Sequence, residues 1–280
     1  MNAFAANDLS GFGRHAPRGW QAGLIGLTRR GTAGWASKRG VFLLRRIAVR
    51  ALRGRPLDVE TLGARMRLYP RDNTCEKRLL FTPQYFDREE RDLLASCIGD
   101  NFVFIDIGAN VGGYSLFVAA RAGAGARILA IEPQPEIFER LVYNSQQNAF
   151  STIKALDCAV ADKPGQVTLF FASDNRGETS MKILDADRYD ERLCVQAKTL
   201  RQIVEEEGYT HIDALKVDVE GAEDLILEPY FANSPERLWP KLLLVENNGS
   251  IWSVDLEALL RERGYVEVLR TRLNVCWRRS

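Results

Sequence analysis

The stretch "FVFIDIGANVGGYSLFVAA", residues 102–120, decides the fold. An apolar run of strand character carries one acid, Asp106, near its end. A glycine-rich turn follows, and then an apolar segment with helical spacing. Downstream the same alternation continues, with strands at 127–131, 152–157, 212–217 and 241–246. Helical patterns at 134–148, 221–228 and 253–263 separate or follow them. Such alternation predicts an α/β fold, a doubly wound, mostly parallel sheet with helices on both faces. The ending differs. Only Thr-Arg separates two short strands, 265–270 and 273–278, so they are expected to form an antiparallel hairpin. The span 159–200 also breaks the rule. It reads as an inserted β-segment (166–172), a polar loop "SDNRGETSM" and a strand near 194–198.

Upstream of this domain (101–280), residues 1–36 are rich in Gly, Ala and Arg without a clear period, which predicts a basic, flexible leader. Residues 37–100 read as an extension of helix, hairpin and helix. Val41, Leu44, Ile47, Ala48 and Ala51 recur at helical spacing, and Gly54 and Pro56 end that helix. A glycine-centred alternation marks a hairpin over 57–70. A second helix is expected at 84–98, with Phe86, Leu93, Leu94 and Cys97 facing inward.

The net charge of +1 conceals an asymmetry: residues 1–60 hold 11 Lys+Arg against 3 Asp+Glu, and the remainder 27 against 34. A basic arm of this kind suits either a solvated leader or peripheral contact with an anionic membrane face. No apolar run is long enough to span a bilayer. The five cysteines are isolated and odd in number, which fits reduced thiols and a cytoplasmic location better than a disulfide frame. With two histidines, a His-rich metal site or a histidine-centred triad has little to draw on.

Which cofactor fits the turn is a question of charge. Gly108, Asn110 and Gly113 nearly match the dinucleotide pattern G-x-G-x-x-G, and Glu132 lies where a ribose-binding acid belongs. Two details oppose a dinucleotide. Asn110 fills the space through which a backbone would approach a pyrophosphate. Asp106 would repel that pyrophosphate: like charges ~4 Å apart at an effective dielectric near 20 cost on the order of 4 kcal/mol. A cation would be welcome instead. S-adenosylmethionine has an adenosine, an ammonium and a sulfonium, and no phosphate. Asp106 would hold its ammonium, the turn (Gly108, Asn110, Gly112) and its N–H groups at the helix start its carboxylate, and Glu132 its ribose. Asp157, ending the third strand, is a candidate partner for the adenine amino group. A P-loop is excluded because no Gly-Lys-Ser/Thr follows.

Together "FVFIDIGANVGGYS", "AIEPQP", the paired Asn144 and Asn148, "AVADKPGQV" and "LKVDVEGAE" resemble the FkbM-type S-adenosylmethionine-dependent methyltransferases over roughly 70–280. The resemblance implies a seven-stranded, Rossmann-like class I sheet with an antiparallel last strand. It also implies O-methylation of a hydroxyl on a sugar, glycan or polyketide-type metabolite. A catalytic base must come from Asp, Glu, Lys or Tyr, or from solvent. Lys216, Asp218 and Glu220 lie two apart and would share one face of an extended segment at a strand's carboxyl end. Asp218 or Glu220 is expected to position or deprotonate the acceptor, with Lys216 tuning the charge; capping of the next helix is the competing role. No dedicated metal-ligand spacing is visible, so no metal is assigned, although Asp218, Glu220 and Glu246 would offer oxygen ligands to Mg²⁺ or Ca²⁺. Glu246 is also a second base candidate. Trp20, Trp35 and Trp252 would suit a sugar face or the core. The segment 70–87 and the loop 173–182 are expected to border the acceptor crevice or to cap the surface.

Alternatives remain. A scaffold on a methyltransferase fold is one. An NAD-dependent oxidoreductase is weaker, for want of a Tyr-x-x-x-Lys pair. No nucleic-acid substrate is expected, because "VDVEG" stands where a base-flipping motif would follow the fourth strand.

Overall fold

This computed structural model describes residues 7–32, 34–172, 175–180 and 191–279. Seven strands form the central sheet: β3 (Val103–Ile107), β4 (Arg127–Ile131), β5 (Ile153–Leu156), β10 (Ala214–Val217), β11 (Leu242–Glu246), β12 (Tyr265–Arg270) and β13 (Asn274–Arg279). Their order is β12-β13-β11-β10-β3-β4-β5. From β11 to β5 neighbouring strands are parallel, and β13 runs antiparallel to both β11 and β12. The expected terminal hairpin is therefore present, and its last strand is inserted between β11 and β12. The chain order reverses between β3 and β10, which opens a crevice at their carboxyl ends.

Alternation along the strands sorts side chains to two faces. Val103, Ile105 and Ile107 of β3 join Leu215, Val217, Leu243 and Val245 in one core. Helices α7 (Leu200–Glu206), α8 (Glu223–Asn233) and α9 (Leu256–Glu262) cover that face. Phe104, Ala214, Leu242 and Leu244 point to the other, which α5 (Gly113–Ala119) and the N-terminal segments cover. Continuing the alternation, Asp106, Lys216 and Glu246 fall on this second face. The N-terminal segments are thus placed over the same end of the sheet as these charged groups.

Those segments are α1 (Trp20–Arg29), α2 (Trp35–Leu52), the hairpin β1 (Leu57–Thr61) with β2 (Ala64–Leu68), α3 (Thr74–Phe81) and α4 (Arg88–Ala95). Three expectations need correction. The leader is not loose over 7–32. Arg67, 1% exposed, pairs with Asp58 at 2.7 Å and donates to the carbonyls of Asp8, Ser10 and Gly11. A buried guanidinium needs all its acceptors, and the leader supplies them. Second, the residues at helical spacing on α2 do not form one buried face: Val41 and Ala48 are buried with Leu52, whereas Ile47 lies 53% exposed. Third, α3 was not anticipated. Asn73 caps it by accepting from the Glu76 N–H, and Leu79, Leu80 and Phe81 bury its apolar end.

Asn144 and Asn148 stand on α6 (Pro135–Gln146) and just past it. They take up the edge of β2: Asn144 accepts from the Arg67 N–H, and Asn148 bonds both the N–H and the carbonyl of Arg65. A second sheet, ordered β6-β9-β7-β8, is built from β6 (Ala159–Val160), β7 (Gly165–Ala172), β8 (Asn175–Ser180) and β9 (Glu191–Lys198). The expected polar loop is a strand over β8, and the rest of it lies outside the described residues.

Candidate active site

The crevice at the switch point is a cleft of about 1260 Å³. Single-ligand pockets run to roughly 1,000 Å³, so there is room for a cofactor and an acceptor together. Asp106, Gly108, Asn110, Glu132, Lys216, Asp218, Glu220 and Glu246 all line it. Gly112 and Asp157 do not. Gly112 starts α5 at φ +91°, where a Cβ would sit 2.9 Å from Leu141. Asp157 is exposed beyond β5.

Asp106 and Lys216 are register partners on β3 and β10. Asp106 is 1% exposed and accepts from Ser115 Oγ at 2.6 Å, while its Oδ1 is buried with no hydrogen-bond partner among the described residues. Burial raises its pKa, and nearby Lys216 opposes the rise. Lys216 donates to Asp218 Oδ2 at 2.6 Å and lies over the Tyr114 ring, 5.0 Å from its centroid. Burial disfavours its ammonium, but Asp218 and Asp106 outweigh that and hold its pKa above the usual lysine value. Tyr114 was not singled out in the sequence, where it reads as one more apolar helix position.

Glu132 ties two loops together. Its carboxylate accepts from the Asn110 N–H at 2.9 Å and the Gln134 N–H at 3.0 Å. Burial pushes its pKa up to about 7 in spite of these bonds. Two carboxylate oxygens offer about four acceptor directions, so capacity remains for hydroxyl donors. The helix cap itself is Gln134, which accepts from the Ile137 N–H.

Gly108 has a local reason that the sequence did not reveal. At φ +73°, a Cβ there would fall 1.9 Å from the Asp218 carbonyl oxygen. The two loops of the switch point touch, backbone to backbone, with the Asp218 N–H donating to the Ile107 carbonyl. The turn is also less open than expected. The N–H groups of residues 108–112 are all taken up by Ile131, Glu132, Asn110 and Ala109. Any donors for a cofactor carboxylate would have to come from Gly113 onward.

The segment after β10 settles the capping alternative. Neither Asp218 nor Glu220 caps α8. Buried Glu223 accepts from the Val219 and Gly221 N–H groups and from Trp252 Nε1. The strand ends at Val217, so Glu220 is brought round by a left-handed residue (φ +53°) rather than by extended alternation. Asp218, Glu220 and Glu246 each offer an oxygen within 4.8 Å of the others, a spacing a divalent cation would bridge. Burial first, and then the charges of Asp218, Glu220 and Glu223, push the pKa of Glu246 to about 10. With no cation between them, the crowding of these acids favours the protonated form of Glu246.

The other wall comes from 74–87. Thr74, Arg78, Gln84 and Phe86 line the cleft, as do Asn175 and Arg45. Trp20 and Trp252 do not, and the Trp35 side chain lies outside the described residues.

The family description "Methyltransferase FkbM domain" matches residues 106–267, more than half of the chain. The chain belongs to the FkbM methyltransferase family. This FkbM methyltransferase is 29% identical over 217 residues to the methyltransferase sdnD of Sordaria araneosa, covering 66% of this chain and 79% of that one. It is 32% identical over 161 residues to the AMB antimetabolite synthetase AmbE of Pseudomonas aeruginosa, 45% of this chain but 7% of that one. Among solved structures, the methyltransferase FkbM from Methylobacillus flagellatus is similar at 16% identity, with 85% of this chain and 60% of that chain covered and a TM-score of 0.40.

Proposed function

We propose that this FkbM methyltransferase uses S-adenosylmethionine to methylate a hydroxyl oxygen on a sugar, glycan or polyketide-type metabolite. The observation that carries the reading is the unpartnered Oδ1 of buried Asp106, on the cleft at the switch point. A buried acceptor left open costs about 1–3 kcal/mol, and more when charged, unless a donor fills it. The methionyl ammonium is such a donor. Glu132 would take the ribose hydroxyls. When bound, S-adenosylmethionine supplies an electrophilic methyl group on a sulfonium.

The chain's own residues supply alignment and a proton acceptor. Asp218 sits at the carboxyl end of β10, ion-paired to Lys216, and takes the proton of the acceptor hydroxyl in this reading. Lys216 fixes its position. Burial and the neighbouring acids favour a protonated Glu246, which would donate a hydrogen bond to the acceptor rather than compete for its proton.

Calorimetric titration tests the cofactor, with S-adenosylhomocysteine and NAD run in parallel on the wild type, Asp106→Ala and Glu132→Ala. Binding of the first ligand alone, weakened in both variants, is the expected result. No binding of either would turn the reading toward a scaffold, and tight NAD binding would overturn the charge argument.

A further inference from the structure

Five of the eight large hydrophobic side chains exposed among the described residues belong to two packed helices: Trp20 and Leu27 on α1, and Phe42, Leu43 and Ile47 on α2. Trp20 and Leu27 are seven apart and share a face of α1. On α2, Leu43 and Ile47 are four apart, and the exposed Arg39, Arg46 and Arg50 lie along the same outward side. The opposite side, Val41, Ala48 and Leu52, is buried against the protein. Neither propensity nor core packing calls for leucine and isoleucine on the solvent side of a helix that already has an apolar inner face.

The charge carried by this stretch of chain has one sign. No Asp or Glu occurs between Asp8 and Asp58, while all eleven basic residues of the first sixty lie in that interval. Apolar side chains interleaved with arginines, on a helix lying flat on its own protein, match a surface that is apolar beneath and anionic at its rim. A second copy of the chain fits poorly: a two-fold contact across this face would set Arg39, Arg46 and Arg50 against their own equivalents. A polyanion such as RNA would use the arginines but gain nothing from Leu43 and Ile47.

We propose that the α1–α2 face docks this protein on an anionic lipid surface. The cleft opens beside it: Gly31, Thr32, Phe42 and Arg45 belong to these helices or to the link between them, and also line the cleft. Docking would therefore bring the cleft mouth to the lipid headgroups, where a lipid-attached hydroxyl can enter without crossing water. The docking itself does not depend on the identity of the reaction.

The test is co-sedimentation of the full chain with vesicles of phosphatidylcholine containing about one-third phosphatidylserine, against pure phosphatidylcholine, in the absence of cofactor. The wild type is expected to bind the anionic vesicles at least ten-fold better than the neutral ones. Both Leu43→Ser/Ile47→Ser and Arg46→Gln/Arg50→Gln should lose at least five-fold. All four positions are exposed, so circular dichroism should show unchanged folding. A wild type that stays in the supernatant overturns the proposal. So does binding that needs the arginines but is indifferent to Leu43 and Ile47, which would mark a general polyanion surface. A wild-type dimer in sedimentation velocity that becomes monomeric in Leu43→Ser/Ile47→Ser would assign the face to self-association and overturn it too.

Discussion

Replacing Glu246 by Gln should make the protein more stable, and increasingly so as the pH rises. Glu246 ends β11 with Asp218 and Glu220 close by, and it accepts from Asn248 Nδ2 at 2.7 Å. Burial and these neighbouring acids raise its pKa from 4.5 to about 10. Between those values the folded protein holds a proton that the unfolded chain has released. Stability attributable to this group therefore falls as pH rises from about 4.5 toward about 10. At pH 7, about 1.36 kcal/mol per pH unit above 4.5 sets a ceiling of roughly 3 kcal/mol. Glu246 is only partly buried and the cleft admits water, so screening reduces this to about 1.5 kcal/mol. A glutamine is neutral at every pH, and its carbonyl can keep the Asn248 bond. Urea unfolding at pH 5, 7 and 8.5 measures the effect. The variant should nearly match the wild type at pH 5 and exceed it by about 1.5 kcal/mol at pH 7, with a wider margin at 8.5. A difference that does not grow with pH, or a variant less stable throughout, would refute the reasoning that the three acids crowd one another.

Three further outcomes are expected. Gly108→Ala meets both a left-handed φ and the Asp218 carbonyl, so it should destabilise by at least the ~1–2 kcal/mol of the backbone strain and weaken S-adenosylhomocysteine binding, read by thermal melting and calorimetry. Glu132, with its pKa near 7, must lose its proton to receive ribose hydroxyls most strongly, so S-adenosylhomocysteine affinity should fall as pH drops through about 7; Glu132→Gln should bind more weakly and lose that dependence, and an unchanged profile would free Glu132 from the site. Asp218→Asn should lower turnover by roughly 10²–10⁴-fold, the usual worth of a positioned base, with S-adenosylhomocysteine affinity within two-fold of wild type; full turnover would remove Asp218 from the base role.

The local pattern of residues 102–120 and the alternation after it were sufficient for the parallel sheet, because strand and helix periods are local properties of a chain. The same pattern placed Asp106, Glu132 and Asp218 at strand ends. The charge of Asp106 was enough to disfavour a pyrophosphate there. Distance in space decided the rest. Nothing near Gly108 in the sequence announces the Asp218 carbonyl 110 residues later; two neighbouring strand ends at the switch point create that contact. Glu220 was expected to face the site by strand alternation, but a left-handed kink beyond the strand brings it there. No side chain caps α8, and Glu223 takes up the N–H groups of the loop before it, so Asp218 and Glu220 are left to the cleft. The leader read as loose because its carbonyls find their partner, buried Arg67, only once the β1–β2 hairpin has folded. Which side of α2 turns outward is not legible in the sequence for a related reason. Periodicity shows that a helix is amphipathic, but which apolar residues turn inward depends on what the helix packs against, and that is settled only in the tertiary structure.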